Sequence, residues 1–137
     1  MKKNSILFFL FIWIGLPVWA QYKTLKDISY VPVSDTDAYR KERCKLDLYY
    51  PEQQKGFATI VWFHGGGLEG GGKEIPPVFQ GRKIAVAGVN YRLSPGLPIR
   101  LISTMRQLLA WVMKHIGEYG ESTRVYVAGH SAEDTSP

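Results

Sequence analysis

Cysteine is almost absent from this sequence. Cys44 is the only one, so no disulfide can form within the chain. Runs of basic residues are missing as well. The formal charge is +5, but the lysines and arginines are scattered among acids. No basic stripe with interleaved aromatics follows, and no nucleic-acid partner is expected. The three histidines, His64, His115 and His130, lie in no H-E-x-x-H pattern and near no acidic cluster, so no metal site is expected. Apolar runs long enough to cross a bilayer comfortably are also lacking, since the one at 6–16 is short for that purpose. Lys2 and Lys3 precede that run, and Val18-Trp19-Ala20 stand before Gln21. The pattern is that of a secretory signal peptide over residues 1–20. The expected product is exported, to the periplasm or beyond the cell, with no stable membrane anchor after cleavage. Losing Lys2 and Lys3 lowers the formal charge from +5 to +3 over residues 21–137, which read as one domain.

What is present is ordinary globular material, 45% hydrophobic and 21% charged, with no internal repeat. Two strands are expected at 28–33 and 43–50, joined by the polar segment "SDTDAYRKE". In the second, Cys44, Leu46 and Leu48 alternate with Lys45 and Asp47, which puts the thiol on a buried face. The runs at 57–63 and 83–91 are continuously apolar, the mark of strands covered on both faces in a mostly parallel sheet. Leu101, Met105, Leu108, Leu109, Val112, Ile116 and Tyr119 then recur at helical spacing, and Gly120 is a natural stop. "RVYVAG" is a further buried strand. Strand, loop, strand, helix, strand is the grammar of an α/β domain.

The segment "HGGGLEGGGK" admits three readings. As a phosphate cradle it fits Gly67, Gly72 and Lys73, but Glu74 stands where a metal-holding hydroxyl belongs and its charge would repel phosphate. As a dinucleotide fingerprint it fits Gly65, Gly67 and Gly70. However, adjacent prolines follow instead of an opening helix, and no acid lies at the ribose distance. No cofactor is therefore expected. The third reading is an oxyanion loop: glycines directly after a buried strand let backbone N–H groups approach a developing negative charge.

A second motif stands at a compatible distance. "VYVAGHSA" is an apolar strand ending in Gly129-His130-Ser131-Ala132, most of a G-x-S-x-G nucleophile elbow. The segments "LDLYYP", "IVWFHGGG", "GVNYRLSP", "LLAWVMKHIGEYG" and "RVYVAGHSA" together resemble the α/β-hydrolase superfamily. More narrowly, the chain is similar to secreted HGGG-type esterases and lipases, including the bacterial feruloyl and acetyl-xylan esterase-like group. The resemblance implies the N-terminal portion of an α/β-hydrolase fold. It implies Ser131 as nucleophile, and His64 and Gly65 as scaffold of the oxyanion loop. Gly66, Gly67 and Ala132 would supply the oxyanion N–H groups, with Tyr91 and Arg92 as nearby supports. The implied substrate is a small-molecule or carbohydrate ester. A secreted peptidase of the same fold and a non-catalytic remnant are the rival readings.

The chain departs from that pattern after Ala132. Glu133 replaces the second glycine of the elbow, and no histidine follows Ser131 to act as base. Asp134 is too close in sequence to serve as the triad acid. The tail has a simple origin. Ala-Gly-Gly-Tyr-Leu-Thr, written GCG GGA GGA TAC CTC ACC, loses one G to give Ala-Glu-Asp-Thr-Ser-Pro, the observed "AEDTSP". The expectation is an esterase interrupted by a one-base frameshift, with the chain itself inactive.

Overall fold

The two continuous apolar runs become neighbouring strands at the heart of one sheet. A computed structural model describes residues 21–67, 69–93, 98–120 and 124–130, with helix side chains from residue 102 onward. The expected signal peptide (1–20) and the expected site residues Ser131 and Ala132 lie outside the described residues. The elements are β1 (Tyr22–Ser29), α1 (Ala38–Arg43), β2 (Lys45–Pro51), β3 (Thr59–Phe63), β4 (Ala85–Val89), α2 (Pro98–Gly120) and β5 (Val125–Gly129). A short 3-10 turn at Pro77–Phe79 precedes β4.

The strand order is β1-β2-β4-β3-β5. β3 runs parallel to both β4 and β5, while β1–β2 and β2–β4 are antiparallel. The sheet is therefore mixed rather than mostly parallel. The antiparallel part follows from the hairpin-like start of the chain, which needs no helical crossover.

β2 alternates as its sequence requires. Leu46, Leu48 and Tyr50 are buried, and they join Val61 and Phe63 of β3, Ala87 and Val89 of β4, and Leu108, Val112 and Ile116 of α2 in one core cluster. All of β4 is buried. β3 is fully buried on the core face only. On its other face Ile60 and Trp62 are half-buried. That face is covered by the return limb of the glycine segment: Trp62 Nε1 donates to Glu74 at 3.1 Å and meets the edge of Phe79. Lys73 Nζ lies 2.7 Å from Asp47 and 3.0 Å from Asp27. Burial works to lower the Lys73 pKa, but its bonds to the two carboxylates outweigh this and raise it. The lysine that partly fits a phosphate cradle thus anchors the loop to the sheet.

Two expectations for the first fifty residues need correction. The first strand lies at Tyr22–Ser29, not 28–33. It turns mostly polar side chains outward, and a bulge falls between Leu25 and Ile28, so period-two apolar alternation is absent. Stacked Tyr22 and Tyr49 rings, with centroids 4.9 Å apart, help to hold it on β2. Tyr30 lies beyond the strand and plugs the core, its hydroxyl donating to the Asn90 carbonyl at 2.7 Å. The polar connection also contains a helix. Asp37 caps α1 by accepting from the Arg40 amide at 3.2 Å. Cys44 is buried as expected, although it sits at the C-cap of α1, one residue before β2.

β5 forms the other edge of the sheet. It pairs with β3 on one side, and Tyr126 and Val127 are exposed. Phe63, Met105, Leu109, Val127, Ala128 and Gly129 line an open apolar groove of about 320 Å³ beside it.

Candidate active site

The ends of β3 and β5 bring the two motifs together. Both strands run the same way, with Phe63 opposite Gly129. One residue on, the His130 amide donates to the Phe63 carbonyl at 3.0 Å. The glycine loop therefore leaves the carboxyl edge of the sheet beside the end of β5. The space at Gly129 is tight. A Cβ there would lie 3.1 Å from the Phe63 carbonyl oxygen and 3.3 Å from Phe63 Cβ, tighter than most real contacts.

The loop itself turns on Gly66. Its φ is +117°, a region that L side chains rarely adopt, and a Cβ would lie 2.8 Å from the Gly70 backbone. The Gly66 carbonyl accepts the amides of Glu69 and Gly70, each at 3.0 Å, which closes the turn. Among the described residues, neither the Gly66 nor the Gly67 amide donates to any acceptor. Among the described residues these two adjacent N–H groups at the carboxyl edge of the sheet thus lack an acceptor, and unpaired donors are what an oxyanion hole needs.

His64 is the buried root of this loop. Its Nδ1 faces the Gly65 carbonyl at 2.7 Å, and its Nε2 faces Arg43 Nη2 at 3.4 Å. A carbonyl only accepts and a guanidinium only donates, so the ring is neutral with its proton on Nδ1. Such a histidine has no free lone pair for proton abstraction. It stacks on Tyr91 at 4.6 Å, and the Tyr91 hydroxyl donates to the His64 carbonyl at 2.8 Å. Tyr91 therefore touches the loop directly. Arg92 turns elsewhere: it pairs with Asp37 and lies over the Tyr39 ring, supporting α1 and reaching the loop only through it. His115 packs on Trp111 and pairs with Glu118 along α2, away from this edge. Sequence reasoning missed Arg43, which touches the loop, His64 and Tyr91 at once. Nothing in "RKERC" marks one cation over its neighbours.

Burial holds the His64 pKa below its ordinary 6.5. The Arg43 charge acts in the same direction, against the Gly65 hydrogen bond and Glu74. The folded state therefore prefers the neutral ring. Its contribution to stability is complete above pH 6.5 and declines as the pH falls from 6.5 towards the folded value. Amide exchange in the loop is expected to quicken between pH 7.5 and 5.5, relative to β4, after correction for intrinsic rates. A loop that keeps its protection at the lower pH contradicts this account of His64.

Several known proteins resemble this chain. The BD-FAE family profile matches residues 46–133. A probable isoprenylcysteine alpha-carbonyl methylesterase from Oryza sativa subsp. japonica is 33% identical over 97 residues, covering 66% of this chain and 23% of that protein. Esterase B from Lactobacillus rhamnosis, solved inhibited by a tributyrin phosphonate, superposes with a TM-score of 0.63 at 22% identity, over 79% of this chain and 36% of that one. A bacterial heroin esterase gives 0.57 at 25% identity, over 80% and 34%. The chain thus spans about a quarter of that curated relative and about a third of each structure.

Proposed function

The chain belongs to the BD-FAE family, an esterase-like branch of the α/β-hydrolase fold, and from that premise we propose that it carries the nucleophile and oxyanion loop of a carboxylic-ester hydrolase. The observation that carries this reading is the pairing of Phe63 with the start of the elbow, where the His130 amide meets the Phe63 carbonyl at 3.0 Å. Ser131 is the next residue in the chain. Its Oγ would attack the ester carbonyl while a base removes the proton. The Gly66 and Gly67 amides, with that of Ala132, would hold the oxyanion until the alcohol leaves and water releases the acid. Carbohydrate esters are the proposed substrates, by likeness to the family. Export through the signal at 1–20 belongs to the same proposal.

The base is not His64, whose Nε2 is turned to Arg43. No histidine follows Ser131 in the sequence. Glu133 in place of the elbow's second glycine favours a second reading for the 137-residue polypeptide itself: a portion of the esterase whose frame is shifted by one base after Ala132. Reading the gene tests it. The idea fails if the other frame after Ser131 does not resume hydrolase sequence with a later Asp and His.

The 137-residue chain is expected not to hydrolyse p-nitrophenyl acetate. Ser131-dependent turnover by this chain would contradict that expectation.

A further inference from the structure

We propose that Arg43 is the positioning residue of the glycine loop: its guanidinium fixes the His64 tautomer and ties the loop's return limb at Gly71 to the backbone at Tyr91. Three contacts converge on one side chain. Nη2 donates to the Gly71 carbonyl at 2.7 Å and lies 3.4 Å from His64 Nε2, while Nε donates to the Tyr91 carbonyl at 3.3 Å. Those partners come from both limbs of the loop and from the segment after β4. Without a brace, a turn built from glycines has many conformations to lose, and the Gly66 and Gly67 amides would point in no fixed direction.

The guanidinium is itself held in place. Arg43 is the last residue of α1, whose first turn is capped by Asp37. Asp37 is clamped in turn by Arg92, and this pairing lowers its pKa, together with the hydrogen bond from the Arg40 amide. Arg40 pairs with Asp35 at 2.8 Å and with Gln107 of α2, so the helix is also fastened to the core. A planar fork suits this position because it serves several acceptors from one rigid group, which a lysine ammonium on a flexible stem cannot do as well. The groups facing His64 are Arg43 from α1, Glu74 from the return limb, Tyr91 from beyond β4, and Gly65 beside it. Arg43 is the one cation among them.

The functional meaning of this brace rests on reading 64–67 as an oxyanion loop, but its test uses no ester turnover and so fails or succeeds separately. The 137-residue chain, Arg43→Ala, Arg43→Lys and Lys41→Ala are compared at micromolar concentration by mass spectrometry. Histidine C2 exchange gives the His64 titration midpoint, with His115 as internal reference, and amide exchange follows the loop. Arg43→Ala is expected to raise the His64 midpoint, since a close cation is removed. It is also expected to speed loop exchange roughly tenfold, the size of losing one or two hydrogen bonds. Arg43→Lys keeps the charge and loses the fork. The His64 midpoint should then stay low while loop exchange still rises. Lys41→Ala, at an exposed position of the same helix, should change neither. The proposal is overturned if Arg43→Ala leaves both quantities unchanged, or if Lys41→Ala moves them equally. Should Arg43→Ala fail to fold, Arg43→Lys decides: unchanged loop exchange in that variant overturns the proposal.

Discussion

Ser131→Ala, introduced into the protein translated from the alternative frame after Ala132, is expected to lower kcat/KM for an activated ester by about 10⁴-fold or more. The size follows from what remains. Without the nucleophile, the loop amides still hold a developing oxyanion and the site still binds substrate, which leaves a residual acceleration over water. The variant should fold as well as its parent, because the substitution removes only one hydroxyl. Steady-state kinetics with p-nitrophenyl acetate, alongside a thermal melt, separate lost chemistry from lost structure. A variant that retains more than about a tenth of the rate, well above what triad enzymes keep without their nucleophile, would place the nucleophile elsewhere.

Gly66→Val carries the second large effect, and it reaches the chemistry through the backbone. At a φ of +117° a β-branched residue is strained, and its Cβ would lie 2.8 Å from the Gly70 backbone. Such strain costs about 1–3 kcal/mol when it is retained. The loop is expected to relieve it by rotating the 66–67 peptide, which turns an oxyanion donor away. Losing one donor lowers kcat by about 10²–10³-fold. KM should change less, because a ground-state carbonyl gains little from those amides. The core should survive, since the packing of Val61, Val89 and Leu108 lies below the loop. An unchanged kcat in a folded Gly66→Val protein would show that these amides do not face the reacting carbonyl.

The elements that position this site were legible because their signals are strong and local. The runs at 57–63 and 83–91 could be strands because their side chains are apolar throughout, and β4 is buried along its whole length. α2 was legible from its three- and four-residue steps, and it ends at Gly120 as the glycine suggested. β1 was misplaced because its hold on β2 depends on backbone pairing and on cross-strand contacts such as Tyr22 with Tyr49. No local apolar pattern encodes those contacts. α1 is six residues long, and its cap and arginine clamps come from distant parts of the chain.

The site divides in the same way. The glycine loop and Gly129 could be read directly, because close backbone approach demands glycine at Gly66 and Gly71 and leaves little room at Gly129. Tyr91 came from the family resemblance, and its stacking on His64 gives that resemblance a physical cause. Arg43 and Lys73 were illegible as braces. Each is one cation among many until the fold brings Gly71 or Asp47 to it.

The most direct measurement of the central claim is labelling by a fluorophosphonate probe, read by peptide mass spectrometry. The probe forms a covalent adduct only with an activated serine. The prediction is an adduct on the Ser131 peptide of the protein translated from the alternative frame, and none on the 137-residue chain. An adduct on a different serine, or an unlabelled Ser131 in a folded longer protein, would contradict the claim that this residue and the His64–Gly67 loop form one esterase site.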